Sequence, residues 1–242
     1  MNPKGSSVWI AAAALLWLTA HGLLAAETKS PKKEQNKKSK GHPVFVYTDS
    51  GFVASGTNRV LVVSILNTTT TPGVEHEFYP LFAEAARAHP AFTLVSEAET
   101  ARAADQKGIG DDYRALVRQW ETNRSFDPAT LRNVADSLKA QYVLGGDVSE
   151  WSSTTVDWNV EGYSHSDVAA SLKMFATTTG KRVWEARDKI ELKSPLHDPR
   201  AQASGVVDDL GIQRGGRQVV PPPPPIDQAA RQVATNLGSA LP

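Results

Sequence analysis

Residues 59–66 read Arg-Val-Leu-Val-Val-Ser-Ile-Leu, a β-branched run that is apolar on both of its faces. Side chains alternate across a strand, so such a run must be covered on both sides and belongs in the middle of a sheet between two layers. The next segment has helical period: Phe78, Leu81, Phe82 and Ala85 recur three and four residues apart over 74–89, until Pro90 stops continuation. Phe92–Val95 is a second short strand, so the chain opens as βαβ. Pro43–Tyr47 forms an earlier strand.

Helical signals then dominate. Ser96 and Glu99 form a capping box ahead of Glu97–Gln106. Gly108 and Gly110 break that helix, and Tyr113–Glu121 resumes the period. Asp127 followed by Pro128 opens a third helix with Leu131, Val134, Ala135 and Leu138 on one stripe. From Gln141 the period falls to two. Strands are expected over Gln141–Trp151, Thr154–Tyr163, Asp167–Ala176 and Arg182–Leu192, with a hairpin at Thr177-Thr178-Thr179-Gly180. Pro195–Val220 is irregular, Pro221–Pro225 is a polyproline II segment that acts as a ligand or a spacer, and a helix over 226–241 closes the chain. The fold class is α/β: a mixed sheet with a βαβ start, an antiparallel meander and packed helices. Residues 44–242 are expected to be one such domain, with its Pro-rich segment at 219–226.

The N-terminus reads as an address. Lys4 precedes an apolar stretch of 11 residues, Val8–Leu18, and small residues come after it at Ala25 and Ala26. This is the pattern of a secretory signal peptide over 1–26, and the stretch is shorter than the roughly 18–20 residues of a spanning helix. Cleavage after Gly22 or Ala26 releases the chain to the periplasm; uncleaved, the segment anchors it in the inner membrane. Residues 27–43 hold six Lys and two Glu and nothing able to pack, a basic disordered leader that can touch anionic lipid or a polyanionic wall. The chain's 26 basic and 26 acidic side chains therefore cancel only on average, leaving a mildly acidic domain. That balance argues against nucleic acid as a partner. With no Cys there is no disulfide, thiolate–metal site, cysteine nucleophile or lipidation site.

A search for chemistry finds nothing assembled. Glu75-His76-Glu77 are consecutive on a helix and point about 100° apart, so they cannot share one ion. His165 with Asp167 and His197 with Asp198 each offer a single imidazole at a loop position, where a solvated histidine is expected. No GxSxG or HExxH motif occurs, and Gly108-Ile109-Gly110 lacks the third glycine of a dinucleotide loop. Asp111-Asp112 opens a helix, and Asp208-Asp209 falls in the irregular region. No catalytic, metal or cofactor site is expected. The aromatic residues of the meander offer an interaction surface instead, with Trp151, Trp158, Tyr163 and Trp184 as candidates.

The order of these motifs resembles a group of periplasmic α/β domains. The strand Arg59–Leu66, the helix carrying Phe78-Tyr79-Pro80-Leu81 and the strand Phe92–Ser96 are similar to the start of domains related to the curli-secretion protein CsgG and the TolB N-terminal domain. Tyr142–Val148 after Leu131–Leu138 resembles their helix-to-strand step. The hairpin Leu172–Phe175 with Thr179–Glu185 resembles their Thr-Gly turn and apolar-Trp strand. The penicillin-binding-protein activator LpoB and small envelope lipoproteins share this plan. The resemblance implies a non-enzymatic envelope protein acting by protein contacts in envelope assembly, wall-synthase regulation or transport, with self-association left open. A small-ligand or glycan-binding protein is the alternative, and a hydrolase a more distant one.

Overall fold

The computed structural model describes residues 44–52, 56–202 and 219–242. The signal-peptide and leader readings lie outside the described residues, as do Asp208 and Asp209. Six strands form one mixed sheet in the order β1-β6-β5-β4-β2-β3: β1 (Phe45–Thr48), β2 (Asn58–Asn67), β3 (Phe92–Val95), β4 (Tyr142–Thr154), β5 (His165–Ala176) and β6 (Arg182–Lys193). Strands β3, β2 and β4 run parallel; β4, β5, β6 and β1 are antiparallel neighbours.

The two-faced run is the central strand. Val60 and Val62 face a core with α1 (Val74–Ala86) and α6 (Ile226–Ser239), whereas Leu61 and Val63 face a core with α2 (Glu97–Gln106), α3 (Gly110–Asn123) and α4 (Pro128–Leu138). A short helix, α5, spans Pro199–Gln202 within the stretch read as irregular. The caps are as read. Ser96 and Glu99 close their reciprocal box, and Asp127 Oδ2 accepts from the Thr130 N–H at 2.8 Å. These hydrogen bonds hold both carboxyls below their usual range. Each group's folded pKa is depressed, so its contribution is present at neutral pH and fades as pH falls through the carboxylate range. Asp127→Ala should lower stability at neutral pH and lower it less in acid, checked by urea unfolding at both.

One expected strand is missing. Residues 155–164 alternate but form a loop, so the meander has three strands. Val156 is only half-buried and Trp158 and Val160 are exposed there, and Val160 N–H turns back to the Asp157 carbonyl. Alternation without a face to bury does not make a strand. The hairpin after β5 forms as read, with Gly180 at φ +68°, a conformation that costs glycine nothing.

The proline segment is seated rather than free. Ser166 Oγ donates to the Pro224 carbonyl at 2.6 Å, Ser164 Oγ donates to that of Pro221, and the run leads directly into α6. Replacing Pro221–Pro225 by Gly/Ser should lower the melting temperature, because proline restricts the unfolded chain and presents these carbonyls in place.

Candidate functional site

Two features stand at the same end of the sheet, beyond the C-terminal ends of β2 and β3. The first is a crevice of about 570 Å³ lined by residues of β2, α1 and α2. It arises from topology. The chain leaves β2 into α1 on one face of the sheet and leaves β3 into α2 on the other, and such divergence opens a cleft at the strand ends. Val62, Ile65, Leu66, Ala98 and Ala101 supply apolar lining, and Ser64, Tyr79, Glu75 and Glu97 supply polar groups.

Both carboxylates come from first helical turns, Glu75 on α1 and Glu97 on α2. Glu75 Oε1 lies 3.6 Å from His76 Nε2, while its Oε2 is buried and has no hydrogen-bond partner among the described residues. The Glu97 side chain is solvent-exposed, and partial desolvation by its neighbours raises its carboxyl pKa, with His76 opposing and Glu121 adding to the shift. Burial likewise raises the Tyr79 hydroxyl, helped by the charge of Glu99. Because the folded-state pKa of Glu97 is raised, its ionised form weakens the fold as pH climbs through the carboxylate range. Glu97→Gln should therefore raise the melting temperature at neutral pH and leave it nearly unchanged in acid. Nearby, the buried Tyr113 hydroxyl donates to the Val63 carbonyl at 3.2 Å and ties α3 to β2.

The second feature is the loop 155–164 with 194–198. Trp158, Val160, Tyr163 and Leu196 are exposed here, Trp158 at 63%. The loops are fixed from beneath. Gly162 and His197 exchange two backbone hydrogen bonds, and His197 Nε2 lies 2.9 Å from the Trp158 carbonyl. A carbonyl only accepts, so Nε2 carries the proton. Lys193 Nζ stands 5.9 Å from the Tyr163 ring centre. The expectation of a solvated His197 is corrected: it is fully buried, because the loop closes over it. His165, half-buried, sits 3.4 Å from Asp167. Replacing His197 by alanine removes the tie and should cost about 1–3 kcal/mol, read as faster hydrogen exchange over 156–164.

The four aromatic candidates separate. Trp158 and Tyr163 are both exposed on this loop. Trp151 and Trp184 are not: their side chains face the core under α6, and Trp184 Nε1 donates to the Ala240 carbonyl at 2.9 Å. Neither can meet a partner in the folded chain. Iodide should accordingly quench Trp158, and Trp158→Phe should remove that component from the emission.

Exposed aromatics also lie on the edge strand β1. Tyr47 and Phe45 face the guanidinium groups of Arg182 and Arg187, at 4.8 and 5.6 Å from the ring centres. Both arginines pair with the buried Glu185, and Arg187 Nε reaches its carboxylate at 2.6 Å. The Arg–Glu–Arg cluster lies wholly on β6, and its guanidinium groups reach β1 through the Tyr47 and Phe45 rings beside the backbone ladder.

Among the described residues, no three His, Asp or Glu side chains meet as a metal cluster, and no helix is long and apolar enough to cross a membrane. The crevice is missed when Glu75-His76-Glu77 is weighed only as a metal triplet. Acids in the first turns of the two helices after β2 and β3 are the signal that marks it.

No family model and no curated protein sequence matches the chain. Solved structures resemble it. A PelC dodecamer from Paraburkholderia phytofirmans is 19% identical, over 82% of this chain and 96% of that one, at a TM-score of 0.46. The LpoB C-terminal domain from Salmonella enterica is 21% identical, over 58% and 86%, at 0.39. Lipoprotein GNA1162 from Neisseria meningitidis is 18% identical, over 57% and 84%, also at 0.39. Likeness of this size carries no function across.

Proposed function

We propose that this chain is a secreted, periplasmic, non-enzymatic accessory protein that acts through protein contacts in the cell envelope, in assembly, wall-synthase regulation or transport. The observation that carries this reading is the tip. Four exposed apolar side chains, two of them aromatic, stand on loops fixed by a buried histidine, and rigid aromatic groups are what interfaces use as anchors. The secretory pattern of residues 1–26 and the resemblance of residues 59–193 to CsgG-like and TolB N-terminal domains support the setting. The contact is made by Trp158 and Tyr163 with an envelope protein. Affinity capture from envelope extract with the native chain and with Trp158→Ser/Tyr163→Ser tests it. Partners retained by the native chain and lost from the folded variant support the reading, and identical captures contradict it.

A second reading, a small-ligand-binding protein, is favoured by one observation: the crevice is lined by both apolar and polar side chains, as ligand sites are.

A further inference from the structure

We propose that Asn123 is an N-glycosylation acceptor that takes an oligosaccharide from a polyprenyl pyrophosphate carrier in the periplasm. The inference goes beyond the contact role proposed above and rests only on the secretion contained in that reading. The chain has two Asn-x-Ser/Thr tripeptides, Asn67-Thr68-Thr69 and Asn123-Arg124-Ser125. In a secreted protein this pattern marks an acceptor when it stands free on the surface. The first is closed. Asn67 Nδ2 donates to the Thr71 carbonyl at 2.6 Å, and its Oδ1 accepts from the Thr69 N–H at 2.9 Å and from the Thr69 hydroxyl at 2.8 Å. The amide and the hydroxyl that a transferase must engage are both spent on the turn after β2.

The second is open. Asn123 is the last residue of α3, and Glu121, Asn123 and Ser125 are all exposed. Neither the Asn123 amide nor the Ser125 hydroxyl hydrogen-bonds to a described residue. Arg124 between them is left-handed, at φ 53°, which ends the helix. Its guanidinium turns back along α3, where Nη1 donates to the Trp120 carbonyl at 2.9 Å. Glu121 supplies an acid two residues before the asparagine, which completes the longer acceptor pattern Asp/Glu-x-Asn-x-Ser/Thr of periplasmic transferases; the corresponding residue before Asn67 is Ile65, and it is buried. In the transfer, Asn123 Nδ2 bonds to the anomeric carbon of the first sugar. The bond from that carbon to the pyrophosphate oxygen breaks, polyprenyl pyrophosphate leaves with the electron pair, and one Nδ2 proton passes to a base of the transferase.

Mass spectrometry of the full chain, recovered by fractionating the cells that make it, tests this. The peptide containing Asn123 is expected to carry an added glycan mass, and the peptide containing Asn67 is not. Asn123→Gln and Ser125→Ala should each abolish the addition, Ser125→Thr should keep it, and Glu121→Gln should lower occupancy severalfold. All three positions are exposed, so these variants should melt with the native chain freed of its glycan. A glycan that survives Ser125→Ala, or that sits on Asn67 in place of Asn123, overturns the assignment. A periplasmic chain with Asn123 unmodified overturns the site and leaves the secretion reading standing. A chain found in the cytoplasm with residues 1–26 still attached overturns both.

Discussion

Trp120→Ala is expected to lower stability by about 3–5 kcal/mol, a large share of the roughly 5–15 kcal/mol that holds a typical domain folded. Trp120 is wholly buried between α3 and the sheet, stacked on Phe126 at 5.6 Å between ring centres and edge-on to Phe175 at 6.2 Å. Its Nε1 donates to the Gly146 carbonyl at 3.2 Å, so truncation empties the second core and also strips a buried acceptor. The ring fits because position 145 is glycine: a Cβ there would come within 2.5 Å of the indole. Gly145→Ala alone should therefore cost about 1–3 kcal/mol by overpacking. In the Trp120→Ala background it should cost less or even stabilise. Urea unfolding of the four proteins of this cycle measures the coupling directly.

Trp184→Ala should be of similar size, about 3–5 kcal/mol, and should act on the other core. Trp184 lies fully buried on β6 beneath α6, and its Nε1 bond to Ala240 ties down the chain just past the helix end. The expected signature is local as well as global. Hydrogen exchange in the last turn of α6 should accelerate beyond what the loss of global stability explains. Trp184→Phe keeps most of the buried area and loses the donor, so it isolates the tie to Ala240. A Trp184→Ala variant with native stability would mean that α6 is held by other contacts.

Much of the architecture was legible because local and tertiary signals agree. Arg59–Leu66 could only be a strand covered twice, and Ser96 with Glu99, and Asp127 with Pro128, mark helix starts that the folded chain keeps. Thr154–Tyr163 misled, since its alternation is real but the sheet continues through His165–Ala176 without it. Burial separated the aromatic candidates, and burial depends on which face α6 covers. The fate of Trp151 and Trp184 on one hand, and Trp158 on the other, was therefore invisible in period alone. His197 reads as a surface residue until the loop bearing Gly162 folds back over it. The crevice needs three elements from separate stretches, and no local pattern announces their meeting.

The central claim, that the tip is the surface through which this protein meets its envelope partner, is tested most directly by a photo-crosslinking residue placed at position 158 in living cells. The same residue at the exposed Arg118 of α3 serves as control. The account expects a discrete crosslinked protein adduct from position 158, absent at 118 and lost when Tyr163→Ser is added. Equal or absent protein crosslinking at the two positions in the folded chain would contradict it.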